Sequence, residues 1–202
     1  MSLIKSFLKM AAIKYGRLIT LYKKVCKPQS IEYAEVVKRF GGLHAMGENC
    51  RINMHANITD PAFVKIGNNV TLSVCSIFGH DGVIGMLNQA YSVKLDSVGK
   101  VVIHDNVYIG HQAIIMPNVT IGPNAIVAAG SVVTGDVLEG DIVGGTPAKV
   151  IGRVEDLVVK LQNTTKNLPW YNMIEAREGS FDPKVEDQLR ALRVKHFFGE
   201  AH

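Results

Sequence analysis

Aliphatic side chains recur every six residues through the middle of this chain: Ile103, Ile109, Ile115, Ile121, Val127 and Val133. Four residues after each stands a small or β-branched side chain: Val107, Ala113, Val119, Ala125, Ser131 and Val137. Turn formers fill the gaps, as Asp105-Asn106, Pro117-Asn118, Pro123-Asn124, Ala129-Gly130 and Gly135-Asp136. Met46-Gly47-Glu48-Asn49 and Ile66-Gly67-Asn68-Asn69 show the same unit earlier. A step of six fits neither the 3.6 period of a helix nor the period of 2 of one continuous strand. It fits a short strand and a turn, repeated, with Asn, Gly and Pro supplying the turn angles. Each unit is too small to bury its own apolar face, so successive coils must stack as a solenoid.

The stretch "IGHQAIIMPNVTIGPNAIVAAGSVVTGDV" and the later "GGTPAKVIG" resemble the hexapeptide-repeat acyltransferase family, and the resemblance covers residues 46–153. It implies a mainly β fold, a left-handed parallel β-helix with three strands per coil, flanked by N- and C-terminal helices. It also implies a homotrimer with active sites between subunits. Within the family the chain looks most like the sugar O-acetyltransferases of the maltose, galactoside, O-antigen and capsule types. The implied activity is transfer of an acetyl group from acetyl-CoA to a sugar hydroxyl of a surface polysaccharide, its precursor or a small saccharide. Two other readings stay open: N-acetylation of a nucleotide-linked amino sugar, and a structural β-solenoid subunit without acetyl-CoA.

The register breaks between Leu72 and Val101, because Ile66 and Ile103 lie 37 residues apart, not a multiple of six. The natural insertion is the loop 79–100, "GHDGVIGMLNQAYSVKLDSVGK", whose one histidine is His80. A long loop in a regular solenoid is more often functional than accidental. In the resembling enzymes such a loop carries the catalytic histidine, which makes His80 the expected general base. Acetyl transfer from a thioester to a hydroxyl needs a group that takes the hydroxyl proton near neutral pH, and imidazole does so. Asp81 adjoins His80, but neighbouring side chains diverge, so no orienting partner is assigned. The rival base is His111, at a turn of "IGHQAI"; His104 is weaker still, and His44, His55, His196 and His202 have no motif behind them.

The resemblance also places the acyl donor. Gly110, Ala128, Ala129 and Gly130 would keep one edge narrow for the pantetheine arm of acetyl-CoA, and Thr146, Lys149 and Arg153 would meet coenzyme A beside the Gly144-Gly145 turn. Cations of this kind suit phosphates. The γ-class carbonic anhydrases share the repeat and hold a metal with histidines five residues apart. Here His111 is followed at that spacing by Met116, a poor substitute, so no metal is expected.

Composition limits the remaining choices. The chain is 47% hydrophobic and 20% charged, with a net charge of +4. Residues 1–31 hold Lys5, Lys9, Lys14, Arg17, Lys23, Lys24 and Lys27 and no acid, and acids outnumber bases in the rest. This asymmetry speaks against a general nucleic-acid surface. Three cysteines without C-x-x-C spacing suit a reducing, cytoplasmic setting. No apolar run is long enough to span a membrane, and no signal peptide is expected. Residues 3–25, within an N-terminal domain 1–30, read as one basic amphipathic helix, with Ile4, Phe7, Leu8, Ala11, Tyr15, Leu18, Tyr22 and Val25 on one face. Such a helix suits packing against a trimer, or contact of residues 1–25 with the anionic inner membrane surface. Residues 154–202 read as a helical tail, with a helix capped by Asp182, begun by Pro183 and stopped by Gly199. Trp170 and Tyr171 precede it, and the expected role of that pair is packing of the tail onto the solenoid, with stacking on a sugar ring as the alternative.

Overall fold

The computed structural model describes residues 3–179 and 181–199; His202 lies outside the described residues. The chain divides into two compact units, Met1–Val154 and Glu155–His202.

The first unit opens with three helices: α1 (Leu3–Tyr15), α2 (Ile19–Cys26) and α3 (Ser30–Phe40). The single helix expected over residues 3–25 is therefore two, folded at Gly16. Gly16 takes a left-handed φ of 63°, and the Phe40 ring lies so close that a Cβ there would fall 2.6 Å from it. Glycine is the residue that tolerates both conditions. The fold divides the predicted apolar stripe: Leu8, Ala11 and Tyr22 are buried, while Ile4, Phe7, Tyr15 and Leu18 stay exposed. The Tyr22 hydroxyl donates to Glu32, which also accepts from Lys9 at 2.5 Å, so one carboxylate ties the three helices together. Burial, then that hydrogen bond, pushes the Tyr22 hydroxyl pKa up; burial would also raise Glu32, but its bonds from Lys9 and Tyr22 prevail and lower it.

The strands then wind in coils. The first holds β1 (Ala45–Met46), β2 (Arg51–Ile52) and β3 (Asn57–Ile58), and the second β4 (Val64–Ile66), β5 (Thr71–Leu72) and β6 (Ser76–Ile77). After α4 (Val83–Tyr91) come β7 (Val101–Ile103), β8 (Tyr108–Ile109) and β9 (Ile114–Ile115), then β10 (Val119–Ile121), β11 (Ile126–Val127) and β12 (Val132–Val133). Strands one coil apart pair in parallel, giving three faces: β1-β4-β7-β10, β2-β5-β8-β11 and β3-β6-β9-β12. Ile103 lies beside Ile121, Ile109 beside Val127 and Ile115 beside Val133, each 18 residues on. All six positions of the repeat are at most 1% exposed, and the small positions Val107 to Val137 at most 4%. This is a parallel β-helix filled by aliphatic stacks. Among the described residues more lie in helices than in strands, however, so "mainly β" understates the helical content.

Both ends of the stack are covered. α3, which the repeat gave no means of expecting, places Ala34 and Val37 in the core beside Cys50 and Ile52. At the other end β13 (Asp141–Gly144) continues the second face and turns back as the antiparallel β14 (Lys149–Arg153). The second unit holds the rest of α5 (Val154–Lys166) with α6 (Tyr171–Glu175) and α7 (Pro183–Phe198). The Asp182 side chain caps α7 through the Lys184 amide, with Pro183 first in the helix and Gly199 at its end. Trp170 is buried edge-on against His196 and Phe197 of α7, so the packing these contacts show is within the tail itself rather than the expected packing onto the solenoid.

The corner between the first and second faces explains the asparagines. Asn49, Asn69, Asn106 and Asn124 all take left-handed φ between 53° and 59°. The Asn69 amide donates to Asn106 and the Asn106 amide to Asn124, both at 2.9 Å, forming a ladder up the corner. Asn106→Ala is expected to cost about 1–2 kcal/mol in urea unfolding, the usual penalty for a Cβ-bearing residue in that region, with Asn106→Gly closer to wild type. Equal losses in the two variants would remove backbone conformation as the cause.

Candidate active site

The corner between the third and first faces carries the candidate site. On the first coil it reads Thr59-Asp60, followed by a single 3-10 turn, Pro61–Phe63. On the second it reads Phe78-Gly79-His80 and runs into the protruding loop. Asn57 pairs with Ser76 and Ile58 with Ile77, so Asp60 falls beneath Gly79. Three donors converge on Oδ2 of Asp60: the Thr59 hydroxyl at 2.7 Å, the Gly79 amide at 3.1 Å and His80 Nδ1 at 2.6 Å. Gly79 makes this approach feasible, since a Cβ there would lie 2.6 Å from the Asp60 Cβ.

These contacts set the chemistry of the pair. The Thr59 hydroxyl, then the His80 ring and the Gly79 amide, hold the Asp60 carboxyl below its ordinary 3.8 against a smaller effect of desolvation. An ionised carboxylate only accepts, so the Nδ1 hydrogen of His80 is assigned to the Asp60 bond and its lone pair to Nε2. The His80 side chain is 49% exposed, against 23% for Asp60. Nε2 has no hydrogen-bond partner among the described residues, which leaves it open to a substrate. Asp60 was missed in the sequence because it lies 20 residues from His80. The register "NIT-D" beneath "SIF-G" was the available signal.

The base of the loop is closed by backbone. The Gly99 amide donates to Gly79 at 2.8 Å, the Asp81 amide donates to Ser97 at 3.0 Å, and His80 bridges Val98. The chain thus leaves and rejoins the solenoid at one place, and the insertion does not disturb the coils. Asp81 serves the loop, accepting from the Val83 amide at the start of α4. Asn88 clasps both backbone groups of Leu95. None of the α4 side chains is buried, and Val83, Met86 and Tyr91 are exposed.

The expected donor residues gather elsewhere, at the corner between the second and third faces. The His111 carbonyl accepts from the Gly130 amide at 2.8 Å. Gly110 is buried under the next coil, where a Cβ would lie 2.5 Å from the Ala129 nitrogen, so its glycine serves coil stacking. Ala129, Gly130, Thr146 and Lys149 are exposed, and Ala128 is half-buried. The Gly144–Ala148 turn is laced to this edge: the Val132 amide donates to Gly145 and the Ala148 amide to Val132. Lys149 has no ion pair among the described residues. Arg153 is paired with the buried Asp141 and closes the last coil, so its guanidinium is partly committed. His80 and this edge stand at different corners of the prism, and one chain does not bring them together. His104 sits at the remaining corner, beside Asp105. Among the described residues no three His, Cys, Asp or Glu side chains form a metal-binding group.

The family described as bacterial transferase hexapeptide (six repeats) matches residues 100–135. Galactoside O-acetyltransferase of Escherichia coli is 32% identical over 122 residues, 58% of this chain and 57% of that enzyme, so the match spans under two thirds of its length. Protein CapG of Staphylococcus aureus is 38% identical over 120 residues, covering 57% of this chain and 69% of that protein. A solved hexapeptide-repeat acetyltransferase from Vibrio cholerae is 26% identical, with a TM-score of 0.55, covering 76% of this chain and 94% of that one. That likeness fits a left-handed β-helix with flanking helices.

The lowered Asp60 pKa makes a pH prediction. A carboxyl lowered by folding adds stability that is full above its ordinary 3.8 and is lost as pH falls through the lowered value. Wild type should therefore exceed Asp60→Asn in urea stability by a constant margin near neutrality, and the margin should shrink below about pH 4. A margin unchanged in strong acid would show that the ionised carboxylate is not its source.

Proposed function

The chain belongs to the hexapeptide-repeat transferases, and we propose that it moves an acetyl group from acetyl-CoA to a sugar hydroxyl, with His80 as the general base. The observation that carries this reading is the 2.6 Å contact of His80 Nδ1 with Asp60, which leaves Nε2 open at the root of the protruding loop. Nε2 takes the acceptor hydroxyl proton as that oxygen attacks the thioester carbonyl. When the C–S bond breaks, the same proton returns to the departing thiolate. Asp60 is a positioning residue: it fixes the tautomer and steadies the imidazolium formed midway.

The donor edge is read as Ala128, Ala129, Gly130 and Thr146 along the pantetheine arm, with Lys149 toward the phosphates. Arg153 keeps a smaller share because Asp141 engages it. The separate corners support a homotrimer, in which the donor edge of one subunit faces the His80 corner of another. Of the acceptors, a saccharide is favoured by the similarity to the galactoside O-acetyltransferase, and the form we propose is a surface polysaccharide, its precursor or a small saccharide. The setting is cytoplasmic, at the inner membrane surface when the acceptor is lipid-carried.

A screen of saccharides and nucleotide-linked amino sugars, following thiol release from acetyl-CoA, tests the reading. His80→Ala should lower kcat by about 10²–10⁴, the usual worth of a positioned base. Asp60→Asn should lower kcat by less and shift its pH profile, while His111→Ala should retain turnover. Loss in His111→Ala with retention in His80→Ala would reverse the assignment, and turnover of amino sugars alone would make the reaction N-acetylation.

A further inference from the structure

We propose that α2 and the adjoining corner of the first coil form a site for the phosphate of an anionic phospholipid headgroup, held at the bilayer by the exposed apolar side chains of α1. The proposal rests on the membrane-side location given above and adds the chemistry of the contact.

A cavity of about 410 Å³ is lined by Thr20, Lys23, Lys24, Lys27, Met54 and His55. The first four, at the i, i+3, i+4 and i+7 spacing, share one face of α2 and its end, opposite the buried Tyr22. His55 and Met54 come from the corner between β2 and β3. Among the described residues none of these lysines forms an ion pair. Lys23 is steadied over the Tyr33 ring at 5.2 Å. No acid occurs in residues 1–31. Three ammonium groups, a hydroxyl and an imidazole around one cavity have an anion as their natural complement, and a phosphate offers acceptor oxygens to each.

The second observation identifies the source of that phosphate. A neighbouring cavity of about 650 Å³ is lined by Phe7, Met10, Ala11, Tyr15, Arg17 and Leu18. Leu18 of this wall and Thr20 of the other are two residues apart, so they lie within about 7 Å along the chain. Leu3, Ile4, Phe7 and Met10 are 90%, 67%, 55% and 49% exposed. A free phosphate accounts for the lysines and leaves this apolar surface unexplained. An anionic bilayer accounts for both, since lysines meet headgroups while apolar side chains enter the acyl boundary. At 13 residues α1 is too short to cross a bilayer, so it would lie along the surface.

Flotation of the full chain tests this, with vesicles of phosphatidylcholine alone and of phosphatidylcholine mixed with phosphatidylglycerol. Wild type should float with the mixed vesicles only. Lys24→Gln with Lys27→Gln should lower the partition coefficient about 30-fold, the combined share of two lysines at an anionic surface. Both side chains are exposed, so folding should be unchanged by circular dichroism. Phe7→Ala with Met10→Ala should also weaken binding. Equal flotation with both vesicle types, or wild-type flotation of either double variant, would overturn the proposal. So would inorganic phosphate shifting the His55 ring resonances in a protein that ignores both vesicles. Acetylation of a soluble saccharide reads the enzymatic reading separately, so failure of one leaves the other standing.

Discussion

Parallel stacking of coil on coil, at 18 residues through the regular part of the repeat, is the constraint on which the rest of the first unit depends. It sets Ile103 over Ile121, Ile109 over Val127 and Ile115 over Val133, and so aligns every corner with the corner below. Each corner position then meets the same demand on each coil. Where the backbone must turn left-handed, Asn recurs, and its side chain finds the next Asn above it. Where the coil above comes within van der Waals distance, glycine recurs: a Cβ on Gly67 would collide with Asp105, one on Gly110 with Ala129, and one on Gly122 with Glu139. Repetition in sequence is thus the direct result of repetition in space.

The same constraint explains how a reactive pair arises at an irregular corner. The repeat holds Thr59-Asp60 and Phe78-Gly79 in vertical register, although the corner that follows is short on one coil and long on the next. Because the loop base is pinned by the Gly79–Gly99 and Asp81–Ser97 bonds, His80 is held on the rigid side of the insertion while α4 projects beyond it. The His80 ring is thus oriented by Asp60 and by the pinned loop base rather than by α4. The proposed donor edge lies at another corner, one to two coils higher. Their separation is the physical argument for a site completed by a second copy.

How legible all this was depended on the range of each interaction. The repeat is local and periodic, so the core stacks, the corner residues and the position of the break could be read directly. The cap of α7 was also legible, because Asp182, Pro183 and Gly199 act within one helical turn. Asp60 was hidden because its relation to His80 exists only after the coils stack, at a spacing the irregular corners make unlike the regular one. The split at Gly16 depended on the Phe40 ring arriving from α3, and α3 itself carries no repeat signature. Arg153 showed as a free cation in sequence, since nothing local reveals that Asp141 would be buried opposite it.

The route proposed for the acyl group is consistent with what the core excludes. A covalent relay would need a nucleophile near His80 or the donor edge. Cys75 is buried, and burial pushes its thiol up to about 12; Cys50 is buried and raised for the same reason. Ser131, beside the donor edge, is fully buried and donates to the Ala128 carbonyl at 2.8 Å. Each of these side chains fills a small position of the repeat, where exposing it would open the stack. Cys26 lies on α2, at none of the solenoid corners. With Cys50, Cys75 and Ser131 turned inward, the core offers no relay, which supports the proposed direct transfer between two bound substrates with His80 carrying the proton.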